Sequence, residues 1–413
     1  MALMPVEEAL ARLLAAAQPR GDAPWPTERV DLWEAAGRVL AAPVLARRTT
    51  PGADVSAMDG YALRAVDAAE VPATLRLIGE SAAGRPFPGR VEPGTTVRIF
   101  TGAVLPEGAD AIVIQEDTRR EGDLVTMVEA ATAGRHIRRA GGDFATGEVL
   151  LAAGQRLRPR DLALAASADV AELRVARRPR VALLSTGDEL VRPGAGAGAH
   201  QVILSNVYSV GGLARAAGAE VTDLGILPDD RTATEAGIRA ALDAGFDIIV
   251  TTGGASVGDH DLVAPSLVAQ GVDLEIHKIA LRPGKPLMFG RLACDAGGTR
   301  VLGLPGNPVS AHVCALVFLV PLIRALQGLA VPAGLPLQPA VLGADIKAND
   351  LRMDFQRAEI IGRDNGLPIV RPLPVQDSSM LSVLARADLL LVRAPQSPAA
   401  RAGEPCAILP LED

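Results

Sequence analysis

The stretch from Arg180 to Leu326 limits the possible folds more than any other part of the chain, because strand-like and helix-like patterns alternate through it. VALLS (181–185) is an uninterrupted apolar strand, and NVYSVGGLARAAG (206–218) reads as a helix. AEVTDLGIL (219–227) follows as a strand, TATEAGIRAALDAG (232–245) as a helix and FDIIVT (246–251) as a strand. LVAPSLVAQG (262–271) reads as a helix despite Pro265. VDLEIH, KPLMFG and VLGLPG supply further strands before a long apolar helix over 308–326. Strands without a polar face, separated by helices, require a largely parallel sheet covered on both sides. This domain is expected at about 177–327.

The flanking texture differs. Residues 5–17 and 31–40 have helical spacing. From 72 to 130 come short β-type runs, ATLRLIG, TTVRIF, AIVIQE and LVTMVE, broken by the turn signals PFPG, EPG, LPEG and EGD. A helix is expected over 159–168, with Pro159 in its first turn. Beyond a Pro/Gly hinge at 331–339, residues 340–413 are β-like again.

Charge narrows the function. The formal net charge of the 413 residues is −7, and no Lys/Arg run is long enough to mark a nucleic-acid face. Cys294, Cys314 and Cys406 form no CxxC pair and read as reduced thiols. MALMPVEEAL carries Glu7 and Glu8 where a signal peptide carries positive charge, and Val309–Ile323 is too short to span a bilayer. A cytoplasmic protein, with neither membrane nor nucleic acid as partner, is expected.

In an open parallel sheet, ligands bind beyond the carboxyl ends of the strands. Here those ends read TGDELV with Asp188 and Glu189, PDD with Asp229 and Asp230, TGGASVGDHD, and PGNPVS leading into the long helix. Gly253, Gly254 and Ser256 can turn bare N–H groups toward a phosphate. Asp259 and Asp261 in the same loop repel one. Two like charges about 4 Å apart cost roughly 4 kcal/mol at an effective dielectric near 20. A cation between them resolves the conflict, and Mg²⁺ bridges carboxylate to phosphate through oxygen ligands. Taken alone, Asp259 and Asp261 read equally as a helix cap. GAGAG (194–198) follows no strand directly and reads as a loop, PGKP (283–286) lacks the Ser/Thr of a Walker loop, and His260 reads as a solvated loop residue.

SAMDGYAL (56–63), TGAVLPEGADAIV (101–113), RRAGGDFATGE (138–148), STGDEL (185–190), GILPDD (225–230), TTGGASVGDHD (251–261), LRPGKP (281–286) and GLPGNPVSA (303–311) occur in one order over nearly the whole chain. In this the sequence resembles the molybdopterin molybdenumtransferases, the MoeA family that includes the C-terminal domain of gephyrin. The resemblance implies insertion of molybdenum from molybdate into adenylylated molybdopterin, with release of AMP and with Mg²⁺. It implies an elongated, multidomain α/β plus β homodimer: a central α/β domain with a mostly parallel sheet, two smaller β-rich domains and an α-containing N-terminal region. The implied domains are 1–48 with 135–176, 49–134, 177–327 and 328–413. The adenylyltransferase that makes the substrate and acceptor molybdoenzymes are candidate partners.

Residue by residue, the resemblance implies catalytic roles for Asp59, Thr101, Asp143, Glu189, Asp229 and Asp261. Asp229, Asp259 and Asp261 become metal ligands, and Asp188, Gly253, Gly254 and Ser256 bind the nucleotide. A molybdate pocket is implied at Arg282, Lys285, Pro286 and Ser310, with Arg352 or Arg357 and Ser378. Pro305, Asn307 and Pro308 belong to the adjoining loop of the substrate site. Fixed Arg and Lys donors suit a tetrahedral dianion. The chain departs from the family pattern at ILSN (203–206), where an Asp-Ser-Asn-like start is expected, at Arg282, often Lys, and at GDHD. An adenylylating enzyme and a pterin-holding scaffold are the competing readings, and tungstate matches molybdate in charge and shape.

Overall fold

The computed structural model describes residues 3–17, 26–253, 262–292, 298–332 and 334–411. They form two compact units, one of residues 1–28, 37–39 and 176–413, the other of residues 29–36 and 40–175.

The first unit is built on a six-stranded sheet in the order Glu220–Leu227, Arg180–Thr186, Ile248–Thr252, Arg300–Leu304, Pro286–Leu292, Val272–Lys278. The first four strands are parallel, and the last two add antiparallel. Ile248–Thr252 and Arg300–Leu304 are buried along their whole length, which is why their sequences show no alternation. The pleat sends successive side chains of Arg180–Thr186 to opposite faces. Val181 and Leu183 join one core with the helices Asn206–Ala216 and Pro308–Leu326. Ala182 and Leu184 join the other, with Arg231–Asp243 and Val263–Ala269.

The helix Val6–Ala17 also packs in this unit. Its apolar stripe of Val6, Leu10 and Leu13 is part of the core under the long helix, and the Arg300 guanidinium donates to the Ala16 carbonyl at its carboxyl end. The long helix is α-helical over Pro308–Cys314, widens to π over Ala315–Leu319 and is α-helical again over Val320–Leu326. Pro321 has no N–H for a carbonyl four residues back, so the ladder shifts there. Among the described residues this helix is long and apolar enough to cross a membrane, but 78% of its apolar window is buried inside the fold, as in a core helix.

Five strands, Gln338–Leu342, Met353–Asp364, Leu367–Pro372, Leu389–Arg393 and Pro405–Pro410, close into a barrel through the pairing of Met353–Asp364 with Leu389–Arg393. Leu281–Arg282, from the loop of the α/β domain, pairs in parallel with Met353 and Asp354 at the barrel's margin. Phe355, Leu390 and Leu409 of the barrel share one core with the α/β domain.

The second unit carries a six-stranded sheet in the order Ala111–Ile114, Gly60–Leu63, Thr95–Ile99, Ala73–Ser81, Leu124–Met127, Thr118–Glu121, matching the four β-type runs read from the sequence. The helix Pro159–Ser167 begins at its proline, with the Asp161 carboxylate accepting the Arg158 N–H at 2.8 Å. No helix forms over 31–40. Asp31 ends the strand Thr27–Asp31 and its carboxylate accepts the Glu34 N–H at 3.0 Å, an Asx-type turn that competes with helix. Leu40 instead bridges to Val175. Trp33, an apolar residue in that spacing, is 95% exposed.

Candidate active site

The carboxyl ends of the four parallel strands open onto a cleft of about 1130 Å³. Each strand delivers a different group. Thr186 closes the first strand, Asp229 follows the second, Thr252 and Gly253 the third, and Pro305 the fourth. Glu189, Pro286, Asn307, Pro308 and Ser310 also line it. Gly253 has φ +90, and a Cβ there would stand 2.7 Å from the Thr186 carbonyl oxygen, so only glycine lets these two strand ends close up. Beneath them, Ser185 Oγ and Thr252 Oγ1 lie 3.0 Å apart in the buried sheet.

The acidic wall is organised by the backbone. Asp188 Oδ1 accepts the Asp229 N–H at 3.1 Å, and Asp229 Oδ2 accepts the Asp188 N–H at 3.4 Å. This exchange locks the loops after two neighbouring strands. Asp230 caps the helix Arg231–Asp243 through the Ala233 N–H at 2.8 Å, which separates the two aspartates of PDD into one cap and one cleft residue. Glu189 folds back over Gly187. Among the described residues no group of three or more His, Cys, Asp or Glu is gathered as a metal centre. Gly254, Ser256, Asp259, His260 and Asp261 lie outside the described residues.

The cations expected around the site are not equivalent, and none of Arg282, Lys285, Arg352 and Arg357 is among the residues that line this cleft. Arg282 donates to Asp350 Oδ2 at 3.0 Å, Asn349 Oδ1 at 2.8 Å and Asp354 Oδ2 at 2.9 Å. The Asp354 carboxylate, in the first place, raises the Arg282 pKa further. Arg352 reaches Asp350 at 3.4 Å. Arg357 is 1% exposed beneath the 376–378 loop, with Nη1 3.3 Å from the Phe355 carbonyl and Nη2 3.5 Å from that of Asp377. Its Nε has no partner among the described residues, and burial lowers its pKa. Lys285 is exposed, its carbonyl accepting the Ile279 N–H at 3.0 Å. Ser378 does not line the cleft, although Ser379 does. It docks the barrel loop on the long helix: Asn307 Nδ2 donates to Ser378 Oγ at 3.0 Å and the Val309 N–H to its carbonyl at 3.1 Å.

At the mouth of the two helices, Asn206 Nδ2 donates to the Gly306 carbonyl at 2.9 Å. So Asn206, which survives in the atypical ILSN run, does its work there. The residues that sequence reasoning missed are Thr186, Thr252 and Ser379. For the threonines a signal existed: VALLST and DIIVTT each end a wholly apolar strand in a hydroxyl.

In the second unit, Asp59 Oδ1 accepts both the Thr101 N–H and Oγ1–H at 2.8 Å, which holds its carboxyl below the usual carboxylate range. Asp143 is exposed, and its N–H donates to the Thr50 carbonyl at 3.1 Å. Asp54, not expected as a structural anchor, accepts the Ala140 N–H at 2.9 Å and pairs with Arg139.

A cleft at the carboxyl edge of a parallel sheet, lined by Glu189 and Asp229 together with Pro286 and Ser310, defines a small-molecule enzyme of the α/β class with added β domains. Family models match in the same order: the MoeA N-terminal region (domain I and II) over residues 4–168, a probable molybdopterin binding domain over 182–325 and the MoeA C-terminal region (domain IV) over 339–411. A molybdopterin molybdenumtransferase of Haemophilus influenzae is 37% identical over 388 residues, 94% of each chain. One from a Nostoc species is 39% identical over 331 residues, 79% of this chain and 76% of the relative. The crystal structure of the molybdopterin biosynthesis MoeA protein of Pyrococcus horikoshii superposes with a TM-score of 0.80 at 28% identity, covering 98% of this chain and 99% of that one. The chain belongs to the MoeA family.

Proposed function

We propose that the chain is a molybdopterin molybdenumtransferase of molybdenum cofactor biosynthesis, which inserts molybdenum from molybdate into adenylylated molybdopterin and releases AMP. The observation that carries this reading is the meeting, in one cleft, of Glu189, Asp229 and Gly253 with Ser310 of the long helix and Pro286, the residue that follows Lys285 in its turn. A dinucleotide-like substrate and a tetrahedral oxyanion need two kinds of surface. On the first, Gly253 and the Thr186 and Thr252 ends are suited to a phosphate. On the second, Lys285, Pro286 and Ser310 are suited to molybdate, with the Lys285 ammonium as the charge and the Ser310 hydroxyl as a directional donor. Arg282, held by three partners, sets the turn in place, and Arg357 supports the barrel loop beneath Ser378.

The proposed cofactor is Mg²⁺, and the donor set fits it. Asp229 and Glu189 offer hard carboxylate oxygens at the cleft, the donor type that Mg²⁺ takes beside waters and substrate phosphates. Bound there, it would neutralise phosphate charge. Asp229, with Asp259 and Asp261, is the proposed ligand set. Asp188 orients Asp229. Asp59, Thr101 and Asp143 are proposed as catalytic side chains, the assembly as a homodimer and the location as cytoplasmic.

The test is incubation with adenylylated molybdopterin, molybdate and Mg²⁺. AMP release that depends on molybdate supports the reading. Formation of adenylylated pterin from ATP and molybdopterin, with no response to molybdate, would overturn it.

A further inference from the structure

The long helix Pro308–Leu326 carries Ser310 and, one turn on, Cys314 on the same face, since residues four apart stack along a helix. Ser310 lines the cleft. Cys314 is fully buried, and its thiol donates to the Gly284 carbonyl with Sγ at 3.7 Å. Gly284 has φ +122, and a Cβ there would stand 2.4 Å from Cys314 Sγ and 2.5 Å from Leu281 Cδ2. The Pro283–Gly284–Lys285 turn therefore rests on the sulfur without slack. Ile279 supports the turn through the Lys285 carbonyl, at 3.0 Å. Burial pushes the Cys314 thiol far up, so it stays a protonated donor. Packing this close passes a change of volume into the backbone rather than absorbing it.

We propose that Cys314 is a positioning residue for the oxyanion substrate: its sulfur sets the spacing between the Lys285–Pro286 turn and Ser310. The inference rests on the reading that these groups hold molybdate. A neighbour on the same helix provides a control. His312 faces away from the turn, with Nδ1 2.7 Å from Ser209 Oγ on the helix Asn206–Ala216.

The experiment compares Cys314→Met, Cys314→Ala, Cys314→Ser and His312→Asn with the wild type. It measures kcat, the KM for molybdate, the KM for adenylylated molybdopterin, and binding of molybdate alone by calorimetry. Overpacking by methionine and loosening by alanine are each expected to raise the molybdate KM about five- to tenfold, with kcat and pterin KM within about twofold. Cys314→Ser, which keeps a small donor, restores the molybdate KM to within about twofold. His312→Asn leaves it unchanged. An unchanged molybdate KM in the Met and Ala variants overturns the proposal, as does a parallel fall in kcat and rise in both KM values across all four. If Cys314→Met does not fold, Cys314→Ala decides. A wild type that binds molybdate but releases AMP without it overturns the functional reading instead, and calorimetry on the variants then decides the role of Cys314. A wild type that binds no molybdate overturns both.

Discussion

The acids at the cleft and the cations expected near it keep their charges in opposite ways. On the acidic wall, Asp188 and Asp229 are exposed and held by main-chain N–H groups. Backbone donors fix a carboxylate without cancelling its charge, so the wall stays anionic toward a ligand. Among the cations, Arg282 is fixed by Asp350 and Asp354, which do cancel it, and Arg357 is buried. Of the arginines and lysine expected around molybdate, Lys285 is the exposed cation left on its turn without a carboxylate partner among the described residues. Counting basic residues in the motif therefore overstates the charge available to an anion.

If that contrast is right, Lys285→Ala has the largest effect. Loss of one charge-assisted hydrogen bond costs about 1.5–3 kcal/mol, so the molybdate KM rises roughly 10- to 150-fold with little change in pterin affinity. Steady-state AMP release against molybdate concentration checks it, and equal losses for both substrates would break the assignment. Asp229→Asn comes next. It removes one hard oxygen ligand, and the Mg²⁺ concentration for half-maximal AMP release rises several-fold, on the order of 1 kcal/mol. A Mg²⁺ titration that does not move would return Asp229 to a structural role.

Arg282→Gln sharpens the comparison from the other side. It leaves Asp354, whose side chain is 8% exposed, without its cation. A stability loss of about 1–2 kcal/mol is expected, below the cost of a fully buried pair because Arg282 is itself part exposed, together with a molybdate KM change smaller than that of Lys285→Ala. Urea denaturation and the same kinetic assay separate the two. An effect on molybdate larger than that of Lys285→Ala would mean that the guanidinium, not the ammonium, carries the anion.

The smallest effect is electrostatic. Asp223 pairs with Arg192, in the loop that follows Glu189, and this bond holds its carboxyl below the usual range. A depressed folded-state pKa stabilises above the unfolded value of about 3.9 and is lost as pH falls through the folded value. Asp223→Asn should lower Tm slightly at pH 7, by the equivalent of about 0.5 kcal/mol for a largely exposed pair, and should flatten the acid limb of Tm between about pH 5 and pH 2. An acid limb as steep as that of the wild type would show that the pair contributes nothing.

Much of this was readable from sequence where burial was complete. The stretches 181–184, 248–250 and 301–304 appear as unbroken apolar runs because no side of them meets water. The acids and glycines placed after them mark the cleft, since only strand ends open to a ligand. What could not be read depends on partners distant in sequence. Nothing near Arg282 in LRPGKP announces that Asp350 and Asp354 claim it, some seventy residues later. Arg352 and Arg357 could not be told apart from sequence, because only the fold puts Arg352 in the bend before the strand Met353–Asp364 and buries Arg357 within it. The helix Val6–Ala17 was legible as a helix, but its apolar stripe could not say which core would accept it. At 31–40 the period itself was misleading, because Asp31 and Trp33 serve a turn.

The two-residue strand Leu281–Arg282 has a consequence for how the molecule could be recombined. It leaves the α/β domain, joins the margin of the barrel beside Met353 and Asp354, and returns within four residues to the sheet at Pro286. The barrel is thus not a cassette that begins at the hinge after residue 327. Cutting there would strip Met353–Asp354 from one side of this strand and leave unpaired backbone donors and acceptors beside the lysine turn, an edge that invites association with other chains. A homologous barrel transplanted onto this chain would have to bring its own version of residues 281–282. The lysine turn and the last domain would then change together in evolution, as one inheritable piece spread over two distant stretches of the gene.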